Sequence, residues 1–106
     1  MPAVARLNDP TTTGHGCDVT TTVVGPTGAS AKVYANGKPV ECKGNPTAAH
    51  TIPGGNGCVP HSAVINVGSS TVFVDGIELA RVGDSTDGGS ITDGSSDVFA
   101  GPPQDK

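Results

Sequence analysis

The chain has 106 residues, of which 16 are glycine, 9 are proline and only 3 are aromatic, with no tryptophan. That glycine and proline content approaches the low-complexity range, yet 15% charged residues and a net charge of −4 give too little self-repulsion to hold a chain open. The 6 Lys and Arg form no patch and the pI is near 5.0, which argues against a nucleic-acid partner, and no apolar run approaches the roughly 20 residues of a membrane-spanning helix.

Along the chain, the first pattern is Ala5-Arg6-Leu7-Asn8-Asp9-Pro10-Thr11, followed by a linker holding His15-Gly16-Cys17. Val33-Tyr34-Ala35-Asn36-Gly37 then leads into a turn and returns through Glu41-Cys42-Lys43-Gly44-Asn45-Pro46-Thr47. Asn-Gly accepts positive φ at both central positions of a tight turn, so this block reads as a β-hairpin. A second linker carries His50 and Cys58-Val59-Pro60-His61. The hairpin recurs at a constant offset as Val72-Phe73-Val74-Asp75-Gly76 and Ala80-Arg81-Val82-Gly83-Asp84-Ser85-Thr86. Ile91-x-x-Gly94-Ser95-Ser96-x-Val98-Phe99-Ala100 repeats the lead strand that begins at Ile65. Residues 102–106 read as a short flexible C-terminal tail.

The opening segment matches the return strand of the hairpin and the closing segment matches its lead strand. The chain therefore holds three lead strands and three return strands, beginning and ending mid-unit. If the terminal halves pair with each other, the simplest product is a closed, pseudo-threefold ring of hairpins that leaves no open sheet edge. The expected fold class is all-β, a single domain over residues 1–106, because glycine recurs too often for helix interiors while 13 Val, 4 Ile and 12 Thr suit a pleated sheet. Tyr34, Phe73 and Phe99 occupy equivalent strand positions and are expected in the core. Val72, Val74, Val98 and Ala100 are candidates for core or for a docking base.

Such a core is thin. Ordering a chain costs on the order of 1.5 kcal/mol per residue, so a staple is expected from a metal, a disulfide or a partner. Three cysteines cannot all be used by a disulfide framework, and Met1-Pro2-Ala3-Val4-Ala5-Arg6 shows no signal-peptide core. Synthesis in a reducing cytosol is the expectation. His15, His50 and His61 all lie in linkers that follow return strands, and equivalent linkers converge on one axis. Three imidazoles and one thiolate make a closed tetrahedral set for zinc. Cys58, in Cys-x-x-His, is the expected thiolate; Cys17 is the alternative, because i and i+2 share a face of an extended segment. Cys42 stands where Arg81 stands in the next unit and reads as a bystander. A closed set favours structure over catalysis, and the motifs of zinc proteases, serine hydrolases and phosphate-binding loops are missing. Asp9 and Asp84 read as turn caps rather than general bases. A zinc-dependent hydrolase and a sugar- or receptor-binding β module are the competing readings.

These residues resemble the PAAR-repeat family over essentially the whole chain. Pro2-Ala3-Val4-Ala5-Arg6, Pro39-Val40-Glu41-Cys42 and Glu78-Leu79-Ala80-Arg81 are decayed copies of the name-giving Pro-Ala-Ala-Arg. Val72-Phe73-Val74-Asp75-Gly76 followed by Arg81-Val82-Gly83-Asp84, and the early His-Gly-Cys, carry the likeness further. The resemblance implies a small pointed β-structure, non-enzymatic, that caps the trimeric β-helical spike of a type VI secretion system or contractile phage tail and assists membrane penetration. It implies a zinc ion near the vertex held by three histidines and a cysteine, with iron as the alternative metal. One copy would sit on each spike trimer, a valine-glycine-repeat spike or the phage equivalent, at the tip of the apparatus and outside the cell after delivery. No toxin domain is expected at either terminus, and any effector cargo is expected to ride on a partner.

Overall fold

The computed structural model describes residues 2–25 and 32–101; the tail expected at 102–106 lies outside them. It is all-β, with ten short strands paired two by two into antiparallel hairpins and no α-helix among the described residues. The strands are β1 (Pro10–Thr12), β2 (Thr20–Thr22), β3 (Tyr34–Ala35), β4 (Lys38–Pro39), β5 (His50–Gly54), β6 (Gly57–His61), β7 (Phe73–Val74), β8 (Ile77–Glu78), β9 (Ser85–Thr86) and β10 (Gly89–Ser90).

The β3–β4 and β7–β8 hairpins turn through Asn36-Gly37 (φ 57° and 77°) and Asp75-Gly76 (φ 49° and 82°). Positive φ at both residues is the geometry that Asn-Gly and Asp-Gly favour. The third unit is made by the two ends of the chain. Ala3 bridges Phe99, the Val4 amide donates to Val98 O at 2.9 Å, and the Ala100 amide donates to Pro2 O at 3.0 Å.

The three return strands close a ring through the bridges Arg6–Val40, Cys42–Leu79 and Arg81–Val4. Each joins the same two positions of neighbouring units. Inside that ring the backbone closes on itself: the Ala5 amide donates to Ala80 O (3.0 Å), the Ala80 amide to Glu41 O (2.9 Å), and the Glu41 amide to Ala5 O (3.0 Å). A second set of equivalent bridges, Thr11–Ile91, Val23–Thr47 and Ile65–Thr86, lies one level further along the axis.

The core is correspondingly layered. Ala35, Val74 and Ala100 pack with Val4, Val40 and Leu79 in one buried cluster; Ala5, Ala80, Val23, Ile65 and Ile91 form the next. Beyond them are Thr11, Thr47 and Thr86, all buried, with the Thr11 and Thr86 hydroxyls 2.6 Å apart. Small and β-branched side chains are what three converging backbones leave room for.

The aromatics depart from expectation. Tyr34, Phe73 and Phe99 are 60%, 51% and 51% exposed, because each precedes a buried residue (Ala35, Val74, Ala100) on an alternating strand and faces the other way. Of the four apolar candidates, Val74 and Ala100 are core, Val72 packs partly buried against it, and Val98 is exposed.

Candidate metal centre

Each return strand runs from the aromatic end of the ring to a linker at the opposite end, and all three linkers contribute to one cluster. His15 comes from the loop between β1 and β2. His50 opens β5 and His61 closes β6, and the two are direct cross-strand partners. The third linker is only the two-residue turn between β9 and β10, and it supplies Asp87, at φ 50°. The three Nε2 atoms lie 2.9, 3.0 and 3.0 Å from Asp87 Oδ2, for His15, His50 and His61 in that order. The imidazole centroids are 4.9–5.3 Å apart. His50 is buried and the other three are half-buried. These four residues can hold a metal ion.

Proton positions favour that reading. His15 Nδ1 lies 2.9 Å from Gly16 O and His50 Nδ1 lies 2.8 Å from Ala48 O. A carbonyl only accepts, so both Nδ1 atoms carry a proton, which leaves Nε2, on the side of the Asp87 oxygen, as the ring atom available to ligate a cation. Three imidazolium rings around one carboxylate would leave excess positive charge in a partly desolvated cluster; a cation between four donors removes the conflict. The Gly16 carbonyl raises the His15 pKa, with burial opposing and Asp87 assisting. Burial pushes Asp87 upward, but hydrogen bonds from the three imidazoles outweigh it and hold the carboxyl below its usual range.

The loop around His15 is tightly placed. Gly14 (φ 78°) packs so closely on Gly88 that a Cβ would come within 2.1 Å of the Gly88 carbonyl oxygen. That contact sets the first linker directly against the turn holding Asp87.

The expected thiolate is not among these donors. Cys58 and Cys17, the two candidates, are bonded to each other, with Cα atoms 6.0 Å apart. Cys58 and His61 lie three apart on β6, and residues at odd separation on a strand face opposite ways; the Cys-x-x-His spacing would chelate only if those residues formed a turn. Cys58 pairs with Pro53 on the hairpin face away from His50 and His61. Only Cys42 remains a free thiol. It is buried, which pushes its pKa up to about 11. Asp87 was missed, although it directly follows Thr86 at the end of the third return strand, where the repeat demanded a third contribution.

Asp9 and Asp84 serve as turn caps and ion-pair partners. Asp9 accepts from the Arg6 amide at 2.7 Å and from its guanidinium at 3.0 Å, and Asp84 accepts from the Arg81 amide at 2.8 Å and from its guanidinium. In the central unit Cys42 and Asn45 replace this Arg and Asp. Glu41 stands there in the ring position of Ala5 and Ala80, with Asn45 Nδ2 donating to its Oε1 at 3.1 Å.

A protein-family model, the PAAR motif, matches residues 8–91. The chain belongs to the PAAR-motif family. No curated protein is significantly similar to it. The PAAR fold gives the name-giving residues a physical role: the alanines fill the ring where three backbones meet, and the arginine folds back on an aspartate three residues later. PAAR proteins are structural rather than enzymatic and sit at the tip of a secretion apparatus or phage tail, and the match supports a spike-tip role in a contractile injection system. Among the described residues no helix is long and apolar enough to cross a membrane.

Proposed function

We propose that this PAAR protein caps and sharpens the trimeric β-helical spike of a contractile injection machine and helps it pass a membrane, with a zinc ion stapling the vertex. The observation that carries the reading is the pseudo-threefold ring, which presents Tyr34, Phe73 and Phe99 exposed at equivalent positions at one end and gathers the metal-ligating group at the other. A monomer with three nearly equal faces lets each chain of a threefold partner meet similar chemistry. Exposed aromatics at such sites supply large apolar contact area.

The residues that would hold the metal are His15, His50, His61 and Asp87. Three imidazoles and a carboxylate suit zinc in a closed tetrahedral site. The ion would cross-link three linkers that contribute no side chain to the two buried apolar clusters of the described residues, and structural zinc sites contribute roughly 10 kcal/mol or more to folding. That is the stiffness a tip under load requires.

Native mass spectrometry of the chain mixed with a valine-glycine-repeat spike trimer, and with a phage spike, tests the reading. The expected particle holds three spike chains, one copy of this protein and one zinc ion. The Tyr34→Ala/Phe73→Ala/Phe99→Ala variant should remain folded and lose the complex. A one-to-one ratio, or full binding by the triple variant, would sink the docking proposal; a bound iron would correct the metal.

A further inference from the structure

The loop that presents His15 is fastened at two points to the hairpin that presents the other two histidines. Cys17 is bonded to Cys58 of β6, 41 residues away in sequence. Asp18 accepts hydrogen bonds from the Thr51 amide (2.8 Å) and hydroxyl (2.9 Å) on β5, and its own amide donates to Thr51 O at 3.2 Å. Between β1 and β2 the loop has no strand partner of its own. It runs through left-handed backbone at Gly14 and at the non-glycine Cys17 (φ 65°). Such a conformation persists only when its surroundings hold it.

We propose that the Cys17–Cys58 disulfide is a redox latch on the metal centre. When it is formed, His15 is pinned beside His50, His61 and Asp87. When it is reduced, Cys17 is free to leave its strained conformation and, of the two fastenings to the β5–β6 hairpin, the Asp18–Thr51 contacts alone remain, so the ion is bound less tightly. Cys58 faces away from His61 on its strand, so its freed thiol does not take the place of a ligand. Closing the latch joins the two sulfurs, releases two protons and passes two electrons to a small-molecule or protein disulfide, which is thereby reduced to two thiols. The proposal rests on the metal reading above. It places the tightest metal binding in an oxidising medium.

Zinc affinity, measured by competition with a chromophoric chelator, separates the possibilities. Three full-length samples are compared: air-oxidised protein, the same protein reduced with a phosphine, and the Cys17→Ser/Cys58→Ser variant. Thiol titration in denaturant should find only Cys42 in the first. Oxidised protein should bind zinc roughly 10- to 100-fold more tightly than the other two, the range found when outer supports of a metal site are removed. Far-UV circular dichroism checks that the variant folds, and the reduced wild type carries the comparison if it does not. Equal affinities, tighter binding by the reduced protein, or three titratable thiols after air oxidation would each overturn the latch. Zinc binding by none of the samples would remove the metal centre itself, and the latch with it.

Discussion

Glu41 offers the sharpest test of the ring. Its carboxyl is fully buried at the position that alanine holds in the other two units. Oε1 accepts from Asn45, while Oε2 has no hydrogen-bond partner among the described residues. Burial, reinforced by Asp9 and opposed by the Asn45 amide, pushes the pKa from 4.5 to about 8. The folded state therefore holds a proton that the unfolded chain releases above about pH 4.5. Between those two values the folded state binds more protons, so stability falls as pH rises and levels off above about pH 8. At about 1.4 kcal/mol per pH decade, the loss between pH 4.5 and 8 is at most about 5 kcal/mol. Glu41→Gln keeps the shape and removes the titration. Urea denaturation of both proteins from pH 5 to 9, after metal removal, should give similar stabilities at pH 5 and a difference of several kcal/mol in favour of Glu41→Gln at pH 9. Taking the difference cancels the histidines, which both proteins share. A difference that stays flat over that range would refute the buried, protonated carboxyl.

Further outcomes can be measured in the same way. Asp84→Ala leaves the buried Arg81 guanidinium without its carboxylate, keeping the Gly101 carbonyl, and should destabilise by about 3–5 kcal/mol, whereas Asp9→Ala should cost about 1 kcal/mol, because Arg6 is partly exposed and also keeps Asn36 and Gly94 as partners; equal losses in denaturant would contradict this. Gly76→Ala meets open space at φ 82° and should cost about 1 kcal/mol. Gly14→Ala drives a Cβ into the Gly88 backbone, so it should cost more and weaken metal binding as well, read by chelator competition. Chelation should lower the melting temperature of the wild type; Asp87→Ala, scanned with and without chelator, should show little further change.

The repeat, the tight turns and the pairing of the chain's two ends were legible because they rest on local chemistry. Asn36-Gly37 and Asp75-Gly76 specify their turn within two residues, and the offset between equivalent segments survives the loss of Arg and Asp at Cys42 and Asn45. The three histidines were legible for a related reason, since the repeat places their linkers at one end. The outward turn of Tyr34, Phe73 and Phe99 was not, because equivalence fixes that three residues share an environment without fixing which face of the strand is inside. The thiol expected beside the histidines lies away from them for a similar reason of parity. Cys-x-x-His suggests chelation when the four residues form a turn, and here they lie in β6, where parity sends Cys58 to Cys17.

By itself the sequence determined the all-β class, the three units, their closure through the termini and the histidines at one end, all of which follow from turn chemistry and periodicity. Tertiary structure decided the rest: that Asp87 completes the cluster, that the two candidate thiols bond to each other, that a carboxyl lies buried among ring alanines, and that the aromatics face outward. Those outcomes depend on which side chains three converging backbones bring within 3 Å of one another, and no spacing along a single chain encodes that distance.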